Sequence, residues 1–285
     1  RAKINLYHHI TGRRADGYHC LDSLVVFADL GDEIEVEAND GLRFSIAGPF
    51  APGLPTDESN LVWQAATALS RAAGIKARAS IRLRKNLPVA AGLGGGSADA
   101  AAALLALRAL WHLPMDDRAL HELAAGLGAD VPVCLSTRPS LISGIGHDVI
   151  PAPPLPPFAL VLVNPMQALS TAAVFKQVKQ PIKSSQPWRE TPDKGQSLAQ
   201  CLDLRRNDLE PAARHLAPVV GEVITTLENL PGCCLARMSG SGATCFGVFD
   251  DLARAEAAAD ILTGARTDWW VRASAVVGAT EGFER

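Results

Sequence analysis

A glycine cluster between an apolar strand pattern and a long helix pattern constrains this chain more than any other feature. Residues 88–99 read PVAAGLGGGSAD, and an uninterrupted Ala/Leu-rich helix is predicted over residues 97–110. Glycine lets the backbone adopt a positive φ and come close to a ligand, and a helix N-terminus offers N–H donors with a partial positive charge. The cluster is therefore either a phosphate-binding loop or a tight turn with close backbone packing.

The loop differs from two common phosphate-binding motifs. No Gly-Lys-Ser/Thr closes it, as a Walker A motif requires, and no strict Gly-x-Gly-x-x-Gly dinucleotide context surrounds it. Ser97 stands at the predicted start of the helix, where its hydroxyl can cap N–H groups or reach a phosphate oxygen or Mg²⁺.

The composition excludes several classes of partner. The net charge of −3 gives no general attraction to nucleic acid or to an anionic membrane, and no apolar run reaches the roughly 20 residues needed to cross a bilayer. The six cysteines lack a Cys-x-x-Cys spacing, so we expect them to be reduced, without a zinc site or a disulfide framework. The expected compartment is the cytoplasm.

The length of 285 residues suits one large domain or two ordinary ones. A proline-rich run at residues 151–157 is the clearest change of composition and predicts a boundary near residue 150. We expect one domain over residues 1–150, which contains the glycine loop, and a second over residues 151–285. Helix and strand patterns in both halves indicate an α+β architecture.

Two local patterns give more specific predictions. Residues 32–38 and 42–47 alternate apolar and polar side chains around Asn39-Asp40-Gly41, which predicts a β-hairpin. Residues 180–196 are polar, contain prolines and lack an apolar period, which predicts a surface loop.

Two charged residues stand at positions that suit either structure or catalysis. Lys3 and Asn5 share one face of a predicted opening strand, although a strand lysine commonly just faces solvent. Asp130 stands between a predicted helix and an apolar strand-like run. It is either a turn-forming residue or a general base that a nearby cation keeps ionised.

A second small-residue segment, residues 239–243, reads SGSGA between two apolar strand patterns. It is either an ordinary hairpin connection or a loop that lets a ligand approach the backbone N–H groups.

Taken together, these segments resemble the GHMP kinases, a family of small-molecule phosphotransferases. Residues 88–97 match the family motif Pro-x-x-x-Gly-Leu-Gly-Ser/Gly-Ser/Gly-Ser, and residues 238–243 match its C-terminal glycine motif. The resemblance implies a two-domain α+β fold, with an N-terminal domain like ribosomal protein S5 domain 2 and a ferredoxin-like C-terminal domain. It also implies ATP and Mg²⁺ as cofactors.

Within the family, residues 2–6 and the string GRRADGYH at residues 12–19 resemble one group of members. These phosphorylate the 2-hydroxyl of a cytidyl diphosphate sugar alcohol in isoprenoid precursor biosynthesis. The expected assembly is a monomer or a homodimer. Another small-molecule kinase of the family, of the mevalonate or homoserine type, and a non-catalytic nucleotide-binding protein of the same fold are the alternatives.

The resemblance also implies roles for individual residues. Asp130 takes the proton of the acceptor hydroxyl, and Lys3 keeps Asp130 ionised and neutralises charge on the phosphoryl group. Ser97 is the candidate ligand for Mg²⁺. The residues implied to contact the acceptor are Asn5, Tyr18, His19, Thr171, Phe175, Gly240 and Ser241. Those implied to contact ATP are Asn60, Lys85, Pro88, Val89, Ala90, Ala91, Gly92, Leu93, Gly94, Gly95, Gly96, Ser97 and Ala98.

Three positions depart from the family pattern. Met166 stands where glycine is usual, Ala172 where proline is common, and His147 where an acidic residue is common.

Overall fold

The computed structural model describes residues 1–15, 17–178 and 187–279. They form two compact units. The small unit contains residues 1–2, 31–89 and 94–137, and the large unit contains residues 3–30, 90–93 and the chain from residue 138 onward.

The secondary structure is numbered along the chain. The strands are β1 (Lys3–Arg13), β2 (His19–Phe27), β3 (Glu33–Glu37), β4 (Leu42–Ala47), β5 (Ala79–Arg84), β6 (Ser140–Gly144), β7 (Asp148–Pro151), β8 (Ala159–Asn164), β9 (Leu235–Met238), β10 (Cys245–Phe249) and β11 (Trp270–Ala275). The helices are α1 (Leu61–Ala72), α2 (Gly95–Leu110), α3 (Asp117–Leu127), α4 (Val131–Ser136), α5 (Thr171–Gln177), α6 (Gly195–Asp203), α7 (Glu210–Leu216), α8 (Val219–Glu228) and α9 (Leu252–Ala265).

The division into units differs from the predicted boundary near residue 150. One sheet of the large unit has the strand order β1-β2-β6-β7, and β2 pairs with both β1 and β6. The first 30 residues therefore join the later part of the chain through sheet hydrogen bonds. Such long-range pairing has no signature in the local composition. The proline run is visible in the composition, but it does not mark the division between the two units.

The predicted hairpin of residues 32–47 is wrong. In the small unit β5 lies between β3 and β4, antiparallel to β3 and parallel to β4. The inward side chains Ala79, Ile81 and Leu83 of β5 are almost completely buried, as expected of a central strand. The turn signal reverses the chain direction, but a strand more than 30 residues later takes the place between the two arms.

Helices of the small unit begin close to where the sequence predicts. The Asn60 side chain caps α1 by accepting a hydrogen bond from Val62 N at 2.9 Å. The helix after the glycine loop, α2, starts at Gly95. The predicted strand-like run after Asp130 is instead the short helix α4, whose first turn accommodates Pro132 because the N–H that proline lacks has no helical partner there.

The second sheet of the large unit is antiparallel, with the order β11-β8-β10-β9. Its strands follow the connectivity strand–helices–strand–strand–helix–strand, which is the split βαβ pattern of ferredoxin-like domains. Central strand β8 is buried throughout. Helices α8 and α9 pack against this sheet and bury Val223, Leu227 and Leu262 in one apolar core.

Three further expectations concern the cysteines, the loop of residues 180–196 and membrane-crossing helices. All six cysteines lie in the described ranges, and none forms a disulfide. Of the predicted loop, residues 180–186 lie outside the described residues, residues 187–194 are irregular, and α6 begins at Gly195. Within the described ranges, no helix combines the length and apolar character that a membrane crossing requires.

Candidate active site

Strand β1 carries the predicted pair Lys3 and Asn5 in a buried setting, with 4% and 1% of their surface exposed. Lys3 Nζ donates a hydrogen bond to Asn5 Oδ1 at 3.2 Å, and Asn5 Nδ2 donates to Ser23 Oγ at 2.8 Å. The Ser23 hydroxyl in turn donates to the Tyr7 carbonyl. The amide of Asn5 is therefore held with its oxygen toward the ammonium group. The solvated strand lysine considered above is not what the structure shows.

The two predicted glycine motifs meet within the large unit. Lys3 N donates to Leu93 O at 2.9 Å, which attaches residues 90–93 to β1. Ser239 Oγ accepts from Asn5 N at 3.2 Å and donates to Gly92 O at 3.0 Å. One serine of the second glycine motif thus joins the opening strand to the first glycine motif.

Gly92 shows why the contact between the two glycine motifs requires glycine. Its φ is +73°, and a Cβ built on it would lie 2.5 Å from Ser239 O and 2.8 Å from Gly242 O. Because both contacts are to backbone atoms, no side chain fits without moving a loop. Gly240 also has a positive φ, +53°, and its Cβ would lie 3.3 Å from Asn5 Oδ1.

Two of the residues predicted to read the base, His19 and Phe175, lie together. The ring centroid of Phe175 lies 5.3 Å from that of His19, with the planes tilted by 31°. Burial, and then Arg13, lower the pKa of His19, so its imidazole is neutral at pH 7 and offers one donor and one acceptor. Tyr18 is 64% exposed. Phe175 therefore packs with His19, and the Tyr18 ring faces solvent.

Thr171 and Ser241, both predicted to contact the acceptor, lie together. Thr171 Oγ1 and Ser241 Oγ are 2.8 Å apart. Thr171 is the first residue of α5, whose N-cap Ser170 accepts a hydrogen bond from Ala173 N. The same short helix thus places both Thr171 and Phe175.

In the small unit, the start of α2 has the form expected of a phosphate-binding helix terminus. Gly94 is the N-cap with φ +60°, and Ala98 N donates to Gly94 O at 2.9 Å. The N–H groups of Gly95, Gly96 and Ser97 precede this first helical bond and have no acceptor within the helix. These donors, with the positive end of the helix dipole, suit an anion.

Beneath this helix start lies an ion cluster that the sequence reading did not anticipate. Lys85, 4% exposed, forms salt bridges with Asp32 and, at 2.7 Å, with Asp99. Asp32 Oδ1 also accepts from Asn86 N at 2.6 Å and from Leu87 N at 2.9 Å. A Cβ on Gly95 would approach Lys85 Nζ to 3.0 Å. The ammonium of Lys85 thus has two carboxylate partners directly below the loop.

The pKa of Asp99 is raised by its burial, and the neighbouring Lys85 ammonium opposes that effect. Asp99 is the only charged residue in the first half of the helix pattern, which is the signal that could have revealed the cluster.

Two other predicted site residues stand at helix ends. The Asn60 side chain serves the α1 cap and also donates to Pro55 O at 2.9 Å, so its contact with ATP stays a prediction. Asp130 is the N-cap residue of α4 and follows Gly128, which ends α3. It lies at the N-terminus of α4, where the helix dipole favours a carboxylate. Asp130 belongs to the small unit and Lys3 to the large one.

The structure shows the setting of each departure from the family pattern. Met166 has φ +57°, a conformation that glycine adopts without strain. Ala172 is the second residue of α5, and proline is tolerated in a first helical turn. His147 Nε2 lies 3.5 Å from Asp148 Oδ1 at the surface.

Sequence reasoning missed Asn207 and Arg237, which hold the second glycine motif and β1 in place. Asn207 Nδ2 donates to Met238 O and Gly240 O, both at 2.8 Å. Arg237 Nη1 donates to Leu6 O at 2.9 Å. Their partners lie 31 to 231 residues away along the chain, so no local pattern marks them.

Comparison with known proteins was consistent with this geometry. The family model for the GHMP kinases N terminal domain matches residues 60–138, and the GHMP kinases C terminal model matches residues 193–266. A relative from Parvibaculum lavamentivorans, named 4-diphosphocytidyl-2-C-methyl-D-erythritol kinase, is 50% identical over 281 residues. These cover 98% of this chain and 97% of the relative.

Solved structures show the same fold. A crystal structure of 4-(cytidine 5'-diphospho)-2C-methyl-D-erythritol kinase matches with a TM-score of 0.79 at 34% identity, over 96% of this chain and 97% of that one. Homoserine kinase from Cytophaga hutchinsonii matches with a TM-score of 0.66 at 18% identity, over 96% and 95%, which shows the fold alone.

The predicted two-domain α+β fold is thus confirmed. Both family models match in chain order, and the relatives extend over almost the whole length. The chain therefore belongs to the GHMP kinase family.

Proposed function

We propose that this protein is an ATP-dependent kinase that phosphorylates the 2-hydroxyl of 4-diphosphocytidyl-2-C-methyl-D-erythritol. The observation that carries the proposal is the 50% identity to a relative of that name over 98% of this chain. The buried Lys3–Asn5 pair supports it, since its hydrogen bond links two residues implied to act on the reacting groups. This phosphorylation is a step of the non-mevalonate route to isoprenoid precursors.

ATP is the phosphoryl donor in this proposal, and the glycine loop holds its phosphates. The first-turn N–H groups of α2 supply donors, and residues 90–93 bring further backbone close to the ligand. Phosphoryl transfer depends mainly on positioning and on stabilising charge on the phosphoryl oxygens. A helix terminus and a buried lysine provide both.

Asp130 acts as the base and Lys3 as its cationic partner. The acceptor oxygen attacks the γ-phosphorus, its proton passes to a carboxylate oxygen of Asp130, and ADP leaves. Lys3 keeps that carboxylate ionised and neutralises charge on the transferred group. The amide oxygen of Asn5 accepts a hydrogen bond from the Lys3 ammonium, so Asn5 orients the lysine. Asn5 also contacts the hydroxyl groups of the acceptor.

Mg²⁺ would neutralise the phosphate charges when bound, and Ser97 is the residue proposed to hold it. The described residues contain no group of three or more His, Cys, Asp and Glu side chains arranged for a metal. Ser97 fits nonetheless, because Mg²⁺ on a nucleotide takes most of its ligands from phosphate oxygens and water. The half-buried Ser97 stands in the first turn of α2, beside the N–H groups proposed to bind phosphate.

The cytidine end of the acceptor binds at the pair Phe175 and His19, together with Tyr18, which precedes His19 in the sequence. A ring face stacks on the base, and the neutral imidazole of His19 offers a donor and an acceptor to its polar edge. Thr171 and Ser241 contact the acceptor as a hydroxyl pair, with Gly240 beside them. The substrates are these small molecules, without nucleic acid or membrane as a partner. The protein acts in the cytoplasm as a monomer or a homodimer.

The substitution Asp130→Asn tests this assignment most sharply. We expect kcat to fall by about 10² to 10⁴, because the amide cannot take the hydroxyl proton, while affinity for ATP changes by less than about threefold. Stopped-flow or coupled ADP-release kinetics and calorimetric titration with a non-hydrolysable ATP analogue measure the two quantities.

The matched control is Asp116→Asn. Asp116 is an exposed N-cap residue of α3 in the same unit, and asparagine caps equally well, so both kcat and affinity should stay unchanged. A kcat for Asp130→Asn close to that of the control would remove Asp130 as the base.

A further inference from the structure

Strand β1 contains an irregularity directly after the Lys3–Asn5 pair. Its register against β2 shifts between Asn5 and Tyr7, so Leu6 has no partner residue on β2. A bulge of this kind reverses which backbone groups face away from the neighbouring strand. Before it, the N–H groups of Lys3 and Asn5 bond outside the sheet, and after it the N–H groups of His8 and Ile10 do so.

Each of these backbone groups meets a partner from the later part of the large unit or from residues 90–93. His8 N donates to Arg206 O at 3.0 Å, and Asp208 N donates to His8 O at 2.8 Å. The carbonyl of the bulged residue, Leu6, accepts from Arg237 Nη1 at 2.9 Å. The turn around residues 206–208 therefore runs beside β1 as a short parallel bridge.

Asn207 lies at the centre of this turn and uses its whole amide group. Nδ2 donates to Met238 O and to Gly240 O, both at 2.8 Å, and Oδ1 accepts from Leu209 N at 2.9 Å. Only 3% of its surface is exposed. With two donors and one acceptor engaged in a buried setting, its orientation is fixed by the surrounding backbone.

The two carbonyls held by Asn207 belong to the residues on either side of Ser239. Ser239 is the serine whose hydroxyl accepts from Asn5 N and donates to Gly92 O. Holding the Met238–Ser239 and Gly240–Ser241 peptides, which enclose Ser239 and Gly240, restricts where the Ser239 hydroxyl stands. The chain of contacts runs from Asn207 through Ser239 to the strand that carries Lys3 and to the first glycine motif.

We propose that Asn207 is a positioning residue for phosphoryl transfer, which holds Ser239 so that β1 and residues 90–93 keep the spacing needed for nucleotide binding and reaction. The proposal rests on the kinase function proposed above. It assigns Asn207 no contact with either substrate.

The substitution Asn207→Asp separates positioning from packing. It preserves the shape and the acceptor for Leu209 N, but it turns a carboxylate oxygen toward the carbonyls of Met238 and Gly240. We expect affinity for a non-hydrolysable ATP analogue to weaken by about fivefold and kcat to fall by about tenfold or more.

A pH profile distinguishes this role from a general loss of fold. Burial between two carbonyls raises the pKa of the introduced carboxyl, and its protonated form regains one donor. The kcat of the variant relative to the unsubstituted enzyme should therefore recover as pH falls from about 8 to about 5.5. A constant ratio across that range would overturn the proposal.

Asn229→Asp is the matched control. Its Nδ2 also donates to a backbone carbonyl, Thr225 O at 2.7 Å, at the exposed C-terminus of α8. A negative charge there lowers stability but should leave nucleotide affinity and kcat unchanged.

If Asn207→Asp does not fold, Ser239→Ala breaks the same chain of contacts one step later. It should produce the same two losses without the pH recovery. Analogue affinity and kcat that match those of the Asn229→Asp protein would refute the positioning role. Failure of the unsubstituted enzyme to turn over the cytidyl acceptor would instead refute the proposed function, and the analogue affinities of the variants would still decide the role of Asn207.

Discussion

Two parts of the glycine motif are held by different physical means. In the small unit, the start of α2 lies on a buried ion cluster in which Lys85 binds Asp32 and Asp99. In the large unit, residues 90–93 are held by neutral hydrogen bonds from β1 and Ser239. The first arrangement involves three charges with strong mutual dependence, and the second depends on directional bonds of modest individual strength.

The difference suggests a division of tasks. Removing one member of a buried ion cluster leaves an uncompensated charge, so the small-unit cluster should dominate stability. Neutral hydrogen bonds contribute less free energy but fix angles and distances narrowly, so the large-unit network should dominate positioning. Substitutions in the two regions should therefore separate in unfolding free energy and in turnover.

The largest effect on stability is expected from Lys85→Met. Asp32 and Asp99 would remain buried beside each other without a cation, and we expect the free energy of unfolding to fall by about 3–5 kcal/mol. Urea unfolding followed by circular dichroism measures it. Lys76→Met, at an exposed lysine of the same unit, should change it by less than about 0.5 kcal/mol. Equal effects of the two substitutions would remove the ion cluster as a source of stability.

Gly92→Ala should have an intermediate effect on stability and a large effect on turnover. The new Cβ meets Ser239 O and Gly242 O at 2.5 and 2.8 Å, at a φ of +73°. We expect a loss of about 1–3 kcal/mol and a kcat lower by about tenfold or more.

The control for that substitution lies two residues earlier. Ala90 has φ +51° and is exposed, so Ala90→Gly relieves strain and should change stability by no more than about 1 kcal/mol. A Gly92→Ala protein as stable as the Ala90→Gly protein would show that the two glycine motifs do not need their close contact.

The smallest effects concern pH, and the two regions should respond in opposite directions. Burial raises the pKa of Asp99 in the small unit, so the folded protein keeps this proton to higher pH than the unfolded chain does. The contribution of Asp99 to stability is therefore complete below its usual pKa, near pH 4, and is lost as pH rises toward neutrality.

His9 of β1 shows the reverse case. Burial lowers its pKa below the usual 6.5, and its Nε2 accepts from Arg206 N at 3.1 Å. The unfolded chain takes up this proton first, so the contribution of His9 is present above about pH 6.5 and is lost as pH falls. Unfolding measured from about pH 4 to 8 should show that Asp99→Asn removes the former dependence and His9→Gln the latter. Profiles parallel to that of the unsubstituted protein would contradict both assignments.

Local sequence signals predicted where helices and strands lie along the chain better than they predicted which strands pair with one another. The Asn60 cap and the helix after the glycine loop are confirmed because each depends on a few adjacent residues. The hairpin of residues 32–47 was wrong because β5, far along the chain, occupies the central position.

The same reasoning explains which site residues could be found. The composition of the sequence reveals the glycine motifs. The alternation of apolar and polar residues along β1 indicates Lys3 and Asn5. Asn207 and Arg237 act through carbonyl groups of distant segments, and any segment supplies carbonyls whatever its sequence. Their roles follow only from the folded chain.

The most direct test of the account is the reaction itself. The unsubstituted protein, supplied with ATP, Mg²⁺ and 4-diphosphocytidyl-2-C-methyl-D-erythritol, should release one ADP for each acceptor consumed. The ³¹P and ¹³C spectra of the product should show a new phosphate ester on the 2-hydroxyl, and mevalonate and homoserine should not react. Turnover of mevalonate or homoserine without turnover of the cytidyl compound, or a phosphate on another hydroxyl, would contradict the account.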